Sequence, residues 1–247
     1  MDNVLARKLE AFGPLPDDDR CLLDAAVSSP RLIGADEDIV REGDPTGDVH
    51  LVVEGFACRY KLLKNGDRQI VAFLVPGDIC DMHVFILRAM DHSIATLSPA
   101  RVVDIPRARI LEMTERPALA RAFWWATLVD EAILREWLLN IGQREAEGRI
   151  AHLICELHAR LKLVGLADGD RFALPITQAE IGDALGLSAI HVNRSLQSLR
   201  AQNLLTLRYR ELVILDPDRL RTLGEFTPNY LHLAGGKRDR PSEPAPG

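Results

Sequence analysis

The sequence predicts an α+β chain in three parts: an N-terminal antiparallel β-roll, one long helix, and a C-terminal winged helix-turn-helix. Three observations predict it. Glycines recur at Gly43, Gly55, Gly66 and Gly77, spaced twelve, eleven and eleven residues apart, with short apolar segments between them. Residues 117–141 contain no glycine and no proline beyond the first position, and are strongly apolar. Residues 178–200, QAEIGDALGLSAIHVNRSLQSLR, read as two short helices around a tight glycine turn. The expected parts are residues 1–115 for the roll, 116–143 for the long helix and 144–234 for the winged domain. Residues 235–247, rich in glycine, proline and charge, are expected to form a disordered tail.

The whole chain sets the bounds. Its 247 residues are enough for two domains with real cores. A hydrophobic content of 47% with 27% charged residues is that of an ordinary soluble protein. The first residues lack a basic segment followed by an apolar one, and no apolar run reaches membrane-spanning length. A cytoplasmic protein without membrane association is expected. Cys21, Cys58, Cys80 and Cys155 are widely spaced, with no C-x-x-C pair, and read mostly as buried thiols.

In the roll, residues 49–53, 56–63 and 69–75 are apolar segments between turn glycines. Even spacing of strands and turns points to a small antiparallel sandwich or barrel. Asn65-Gly66 suits a tight hairpin. In the long helix, Phe123, Leu128, Ile133, Leu134, Trp137, Leu138 and Ile141 make a broad apolar stripe at helical spacing. About 25 residues span roughly 37 Å, more than a small domain needs for its own core. Pairing with a second copy satisfies such a helix; packing on its own roll is the alternative. Trp124 and Trp125 cannot both face one side, so one is expected to meet the partner helix and the other the roll. Residues 145–163 form a third helix, with Ile150, Leu153, Ile154, Leu157 and Leu161 on one side. Residues 142–148 are the expected hinge.

In the helix-turn-helix, Gly182 sits where the helices cross and Gly186 can turn left-handed at little cost. Val192 faces back toward the first helix, and Ile181, Leu185, Leu187 and Leu196 supply the shared core. Thr177 with Glu180 three residues later forms a capping box, and Ser188 caps the second helix. Two amphipathic helices of an ordinary bundle would not need these offsets and both caps together. The pattern points to DNA binding. Residues 204–215, LLTLRYRELVIL, read as the hairpin of a wing. Arg194, Arg200, Arg208 and Arg210 fall in a stretch without acids. Residues 147–223 carry ten basic and nine acidic residues, in a chain whose net charge is −6. Positive charge is thus local, as phosphate neutralisation requires. A solvated helix face is the plainer reading of the same arginines.

Three segments carry a resemblance. REGDPTGDVHLVVEGFACRY in the roll, GRIAHLICEL after the hinge and ITQAEIGDALGLSAIHVNRSLQSLR resemble the Crp/Fnr superfamily of bacterial transcription regulators, over roughly residues 20–223. The resemblance implies a cyclic-nucleotide-binding-like jelly roll, a dimerisation helix and a homodimer on a pseudo-palindromic site in double-stranded DNA. RNA polymerase is a candidate further partner. Arg194 matches the family arginine that reads guanine, and a guanidinium fork fits the O6/N7 edge of that base. Asn193 beside it reaches a base edge or a phosphate. Ala189-Ile190 departs from the polar pair, with its base-reading glutamate, that many members carry. His191, Gln197 and Ser198 remain as polar candidates, with Ser188 at the helix start. Thr177, Gln178 and Arg208 are candidate phosphate contacts.

The sensor departs further. Cyclic-nucleotide binders of the superfamily hold ribose and phosphate with a glutamate and, about ten residues later, an arginine. Those positions fall on Asp81-Met82-His83 and His92-Ser93, so the glutamate is Met82 and the arginine is His92. No useful binding of cyclic AMP or cyclic GMP is expected. Only Cys21 lies near the N-terminus, where iron–sulfur members cluster several cysteines. Cys80, Asp81, Met82, His83, His92 and Ser93 form a candidate effector pocket. Cys80, His83 and His92 are types that ligate haem or a metal ion, or they line a former nucleotide pocket through hydrogen bonds. None of these spacings is diagnostic, and no resident metal or cofactor is expected. A protein-binding module without DNA activity is a further alternative. The chain has no P-loop, dinucleotide fingerprint or nucleophile–base signature, so an enzyme is not expected.

Overall fold

The computed structural model describes residues 3–82 and 86–233. Two short helices come first, α1 (Val4–Leu9) and α2 (Asp17–Ala26). Asn3 caps α1 by accepting from the N–H groups of Leu5 and Ala6, and Asp17, Asp18 and Asp19 fill the first turn of α2. Leu5, Leu9 and Leu23 are buried against the roll. Neither helix has an apolar stripe long enough to stand out in the sequence.

The roll follows as β1 (Arg31–Ile33), β2 (Asp38–Val40), β3 (Val49–Glu54), β4 (Ala57–Leu62), β5 (Arg68–Leu74), β6 (Ser93–Thr96) and β7 (Ala100–Ile105). They pair antiparallel in two sheets, β1-β7-β3 and β2-β6-β4-β5. Gly43, Gly55, Gly66 and Gly77 all turn with φ between 80° and 91°, as their spacing predicts. The β4–β5 hairpin is wider than a two-residue turn. Leu62 pairs with Arg68, and Leu63 donates its N–H to Asp67. Lys64, Asn65 and Gly66 therefore make a three-residue loop, with the left-handed residue last.

A short helix, α3 (Arg107–Thr114), leads to the long helix α4 (Pro117–Gln143), which starts with proline in its first turn. The apolar stripe of α4 divides into two faces. Phe123 packs on the roll core, while Ile133 and Trp137 join the core shared with the C-terminal domain. Trp124, Leu128, Leu134 and Leu138 stay exposed, Trp124 by 68% and Leu138 by 75%. Trp125 turns inward and its ring lies 6.0 Å from that of Phe12.

The bend after α4 is shorter than the expected hinge. Only Arg144 and Glu145 are extended before α5 (Ala146–Leu163) begins. Gly142 is still helical. Gly148 lies inside α5, where a Cβ would sit 3.2 Å from the Leu223 carbonyl, so it serves close packing. The C-terminal domain continues with β8 (Ala167–Asp168), β9 (Arg171–Ala173), α6 (Gln178–Leu185), α7 (Ala189–Ala201), β10 (Leu205–Arg208), β11 (Glu211–Ile214) and α8 (Pro217–Leu223). Its sheet runs β10-β11-β9-β8. Residues 235–247, expected to form a tail, lie outside the described residues. Among the described residues, no helix is long and apolar enough to cross a membrane.

Two clusters of contacts join roll and C-terminal domain. Arg68 of β5 bonds the Asp183 carboxylate of α6 at 2.9 Å, and Gln69 reaches the Ala184 carbonyl at 3.3 Å. Arg160 of α5 bonds Asp78 at 2.5 Å and the Phe73 carbonyl at 2.8 Å. Between them, the Trp137 indole N–H donates to buried Glu156, and its ring meets Phe73 edge-on at 5.6 Å. The Tyr230 hydroxyl donates to the same carboxylate at 2.9 Å.

Candidate nucleic-acid interface

The helix pair α6–α7 is built by short-range chemistry. Both arms of the capping box form. Thr177 Oγ1 accepts from the Glu180 N–H at 3.2 Å, and Glu180 Oε2 accepts from the Thr177 N–H at 2.6 Å. Gly186 ends α6 with φ 64° and ψ 38°. Any side chain at Gly182 would drive its Cβ to 2.4 Å from the Leu187 carbonyl, closer than atoms approach. The helices can cross this tightly only because that position is glycine. Ser188 Oγ then accepts from the His191 N–H and starts α7. Ile181, Leu185, Val192 and Leu196 are buried between the helices, while Leu187 is half-buried.

This core sets which face of α7 remains outside. Val192, Ser195, Leu196 and Leu199 point inward. Ala189, Ile190, His191, Arg194 and Gln197 are exposed, and Asn193 and Ser198 are half-buried. Several polar candidates already have partners. Asn193 Nδ2 donates to Gln178 Oε1 at 3.1 Å and ties α7 to α6. Thr177 Oγ1 donates to Glu180 Oε2 at 2.8 Å. Ser188 Oγ is held by the cap, and Ser198 Oγ accepts from Gln202 at 3.1 Å. Arg194 and Gln197 make no side-chain bond to the rest of the described chain, so their polar ends are available to an outside partner.

The wing lies beside this face in the chain. Arg208 pairs with Glu211, leaving Tyr209 and Arg210 as a two-residue turn. Both have positive φ, 52° and 62°, in the left-handed region that residues with a Cβ rarely adopt. Arg208, Tyr209 and Arg210 are all exposed. Arg200, by contrast, turns inward and donates to the Leu207 carbonyl at 3.2 Å. It braces α7 against β10, so one of the four arginines in the acid-free stretch is structural.

The candidate effector residues have local duties. Cys80 is fully buried in the roll core, and burial pushes its thiol well above the usual range. Asp81 is buried; its carboxylate accepts from the His50 N–H at 2.7 Å and pairs with His50 Nδ1 at 2.5 Å. Burial works against a charged His50 ring, but Asp81 outweighs it and raises the His50 pKa. Met82 packs half-buried against the core, and Ser93 Oγ accepts from the Glu42 N–H at 2.9 Å. His92 Nδ1 pairs with Asp91 at 2.6 Å, and burial lowers its pKa. His83 lies outside the described residues. Among the described residues, no three of His, Cys, Asp and Glu gather as metal ligands. Cys58 and Cys155 are also buried, each pushed up to about 12, and Cys21 is exposed.

A residue the sequence does not single out sits under α4. Arg59 of β4 donates to the Cys80 carbonyl at 2.8 Å, the Ile79 carbonyl at 3.0 Å and the Asp130 carboxylate of α4 at 3.0 Å. No local pattern could reveal this, because the partner lies 71 residues away.

Comparison with known proteins matches both halves. Residues 148–223 match the Crp-like helix-turn-helix domain, and residues 30–116 match the cyclic nucleotide-binding domain. The chain is similar to the transcriptional activatory protein AadR of Rhodopseudomonas palustris, at 30% identity, covering 77% of this chain and 79% of that one. It is also similar to the nitrogen fixation regulation protein FixK of Bradyrhizobium diazoefficiens, at 29% identity over 188 residues, covering 76% and 78%. Among solved structures, FixK2 from Bradyrhizobium japonicum superposes with a TM-score of 0.72 at 28% identity, covering 81% of this chain and 98% of that one.

Proposed function

This chain belongs to the Crp/Fnr superfamily of DNA-binding transcription regulators, and we propose that it works as a homodimer in the cytoplasm, on a pseudo-palindromic DNA site. Each α7 enters a major groove, with half-sites one helical turn apart. The single observation that carries this reading is the exposed face of α7, on which Arg194 and Gln197 stand free of internal bonds. Arg194 reads a guanine through its O6/N7 edge. The exposed side of α4, with Trp124, Leu128, Leu134 and Leu138, is the surface a second copy covers. Leaving these four side chains in water would forfeit roughly 1.5–3 kcal/mol each relative to full burial. Gln178 and Arg208 contact phosphates, as do backbone N–H groups at the start of α6. A promoter-bound dimer of this family has RNA polymerase as its natural neighbour. The superfamily is one of regulators, and the chain acts by binding rather than by catalysis.

The test is selection of random duplex DNA by the purified protein, with Arg194→Ala alongside. A two-fold symmetric motif is expected with the native protein. The variant should lose about 1–3 kcal/mol and relax specificity at one base pair of each half-site. Undiminished sequence-specific binding by the variant would refute the assignment of Arg194.

A further inference from the structure

The first turn of α7 places an isoleucine where DNA is read. Ile190 is the second residue of the helix and 72% exposed. It precedes Arg194 by one turn, so the two side chains share a face. The Ser188 cap fixes the start of the helix, and Val192 and Leu196 fix its rotation. Ile190 therefore points the same way as Arg194, without help from any ligand. A β-branched side chain is a poor choice for an exposed helix position and gains nothing from facing water.

The chemistry of the groove limits what such a side chain can recognise. Most features of the major-groove edge are donors or acceptors, and an aliphatic group laid over them would strip their water without replacing it. The apolar feature is the C5-methyl group of thymine. Four residues of helix advance about 6 Å, and base pairs stack about 3.4 Å apart. The methyl thus lies within about two base pairs of the guanine that Arg194 contacts. We propose that Ile190 is a specificity-determining residue that selects a 5-methylpyrimidine, thymine in unmodified DNA, at that position of each half-site. The proposal rests on the reading of α7 as the recognition helix.

The experiment begins from the duplex found by selection with the full-length protein. Each thymine of the half-sites is replaced in turn by uracil, which removes only the methyl group. At one symmetric position, affinity should fall roughly fourfold per methyl lost. Placing cytosine and then 5-methylcytosine at that position tests the methyl apart from the base, and 5-methylcytosine should bind more tightly than cytosine. In Ile190→Ala, whose exposed site leaves folding untouched, the difference between thymine and uracil should vanish while the Arg194 guanine stays required. Equal binding of thymine and uracil duplexes at every position would overturn the proposal and leave the DNA-binding reading intact. A thymine–uracil difference that persists in Ile190→Ala would also overturn it. Failure of the native protein to select any motif would instead count against the DNA-binding reading itself.

Discussion

Arg59 shows how the surroundings of one half-buried side chain commit its charge. Burial opposes its charge, but the Asp130 carboxylate outweighs burial and holds its pKa above the ordinary value. Two carbonyls occupy its remaining donors on that side. A cyclic phosphate arriving under α4 would compete with Asp130 for this guanidinium, and the resemblance to nucleotide binders of the superfamily lays Met82 and His92 over a glutamate and an arginine. Titration calorimetry with cyclic AMP is therefore expected to give no saturating heat in the micromolar range. A micromolar Kd would overturn this account. The departures at Met82 and His92 are legible in the sequence because the resemblance is read residue by residue. Arg59 is not, because its role depends on a helix far along the chain. Cys80 is misleading for the same reason: its neighbours in sequence are metal-ligating types, but its neighbours in space are the apolar side chains of the roll.

At the scale of elements, what is legible depends on how far apart the partners lie. The capping box, the Ser188 cap and the Gly186 turn each close within about four residues, so the α6–α7 unit can be read directly from its letters. In α4, helical periodicity finds the apolar positions but cannot say what covers each of them. Phe123 and Leu128 look alike in sequence, yet one faces the roll and the other water. Helices α1, α2 and α3 are too short for periodicity to mark; the asparagine before α1 and the three aspartates opening α2 were the available signals. The wing is legible as a hairpin but not in its strain. Asn-Gly adopts a two-residue turn of this kind with ease, whereas Tyr209-Arg210 holds it at a cost of roughly 1–3 kcal/mol per strained residue. Such strain persists where the side chains are useful. The double variant Tyr209→Asn, Arg210→Gly should raise stability by roughly 1–3 kcal/mol in urea unfolding, because asparagine keeps a Cβ in the turn and ordering glycine costs chain entropy. It should also weaken DNA binding and reduce its salt dependence by about one phosphate contact. Unchanged DNA affinity in that variant would show that the wing tip stays clear of the duplex.

At the scale of the molecule, Asp78 is the point where the parts meet. It takes Lys8 of α1 at 2.7 Å, Arg160 of α5 at 2.5 Å and the Val75 N–H at 2.8 Å. Burial alone would raise its pKa, but the two cations prevail and lower it to about 2. A carboxylate depressed below its unfolded value of 3.8 stabilises the fold above that pH. This contribution, on the order of 2 kcal/mol, is lost as pH falls from about 4 toward 2. Urea midpoints measured across that window should drop for the native protein and drop less for Asp78→Asn. At neutral pH the same variant takes the carboxylate from Lys8 and leaves Arg160 with Glu156 and the Phe73 carbonyl, and should destabilise by roughly 3 kcal/mol. Equal acid sensitivity in the two proteins would show that the junction does not depend on this charge. The exposed face of α7 is arranged in the opposite way. Ser188 and Asn193 hold the helix from its capped end and its inner edge, so Ile190, Arg194 and Gln197 are left out of the folding contacts. A duplicated gene could change these three codons and acquire a new set of promoters while its product stayed as stable as its parent. Regulatory divergence in such a lineage would be limited by the available promoters rather than by protein stability.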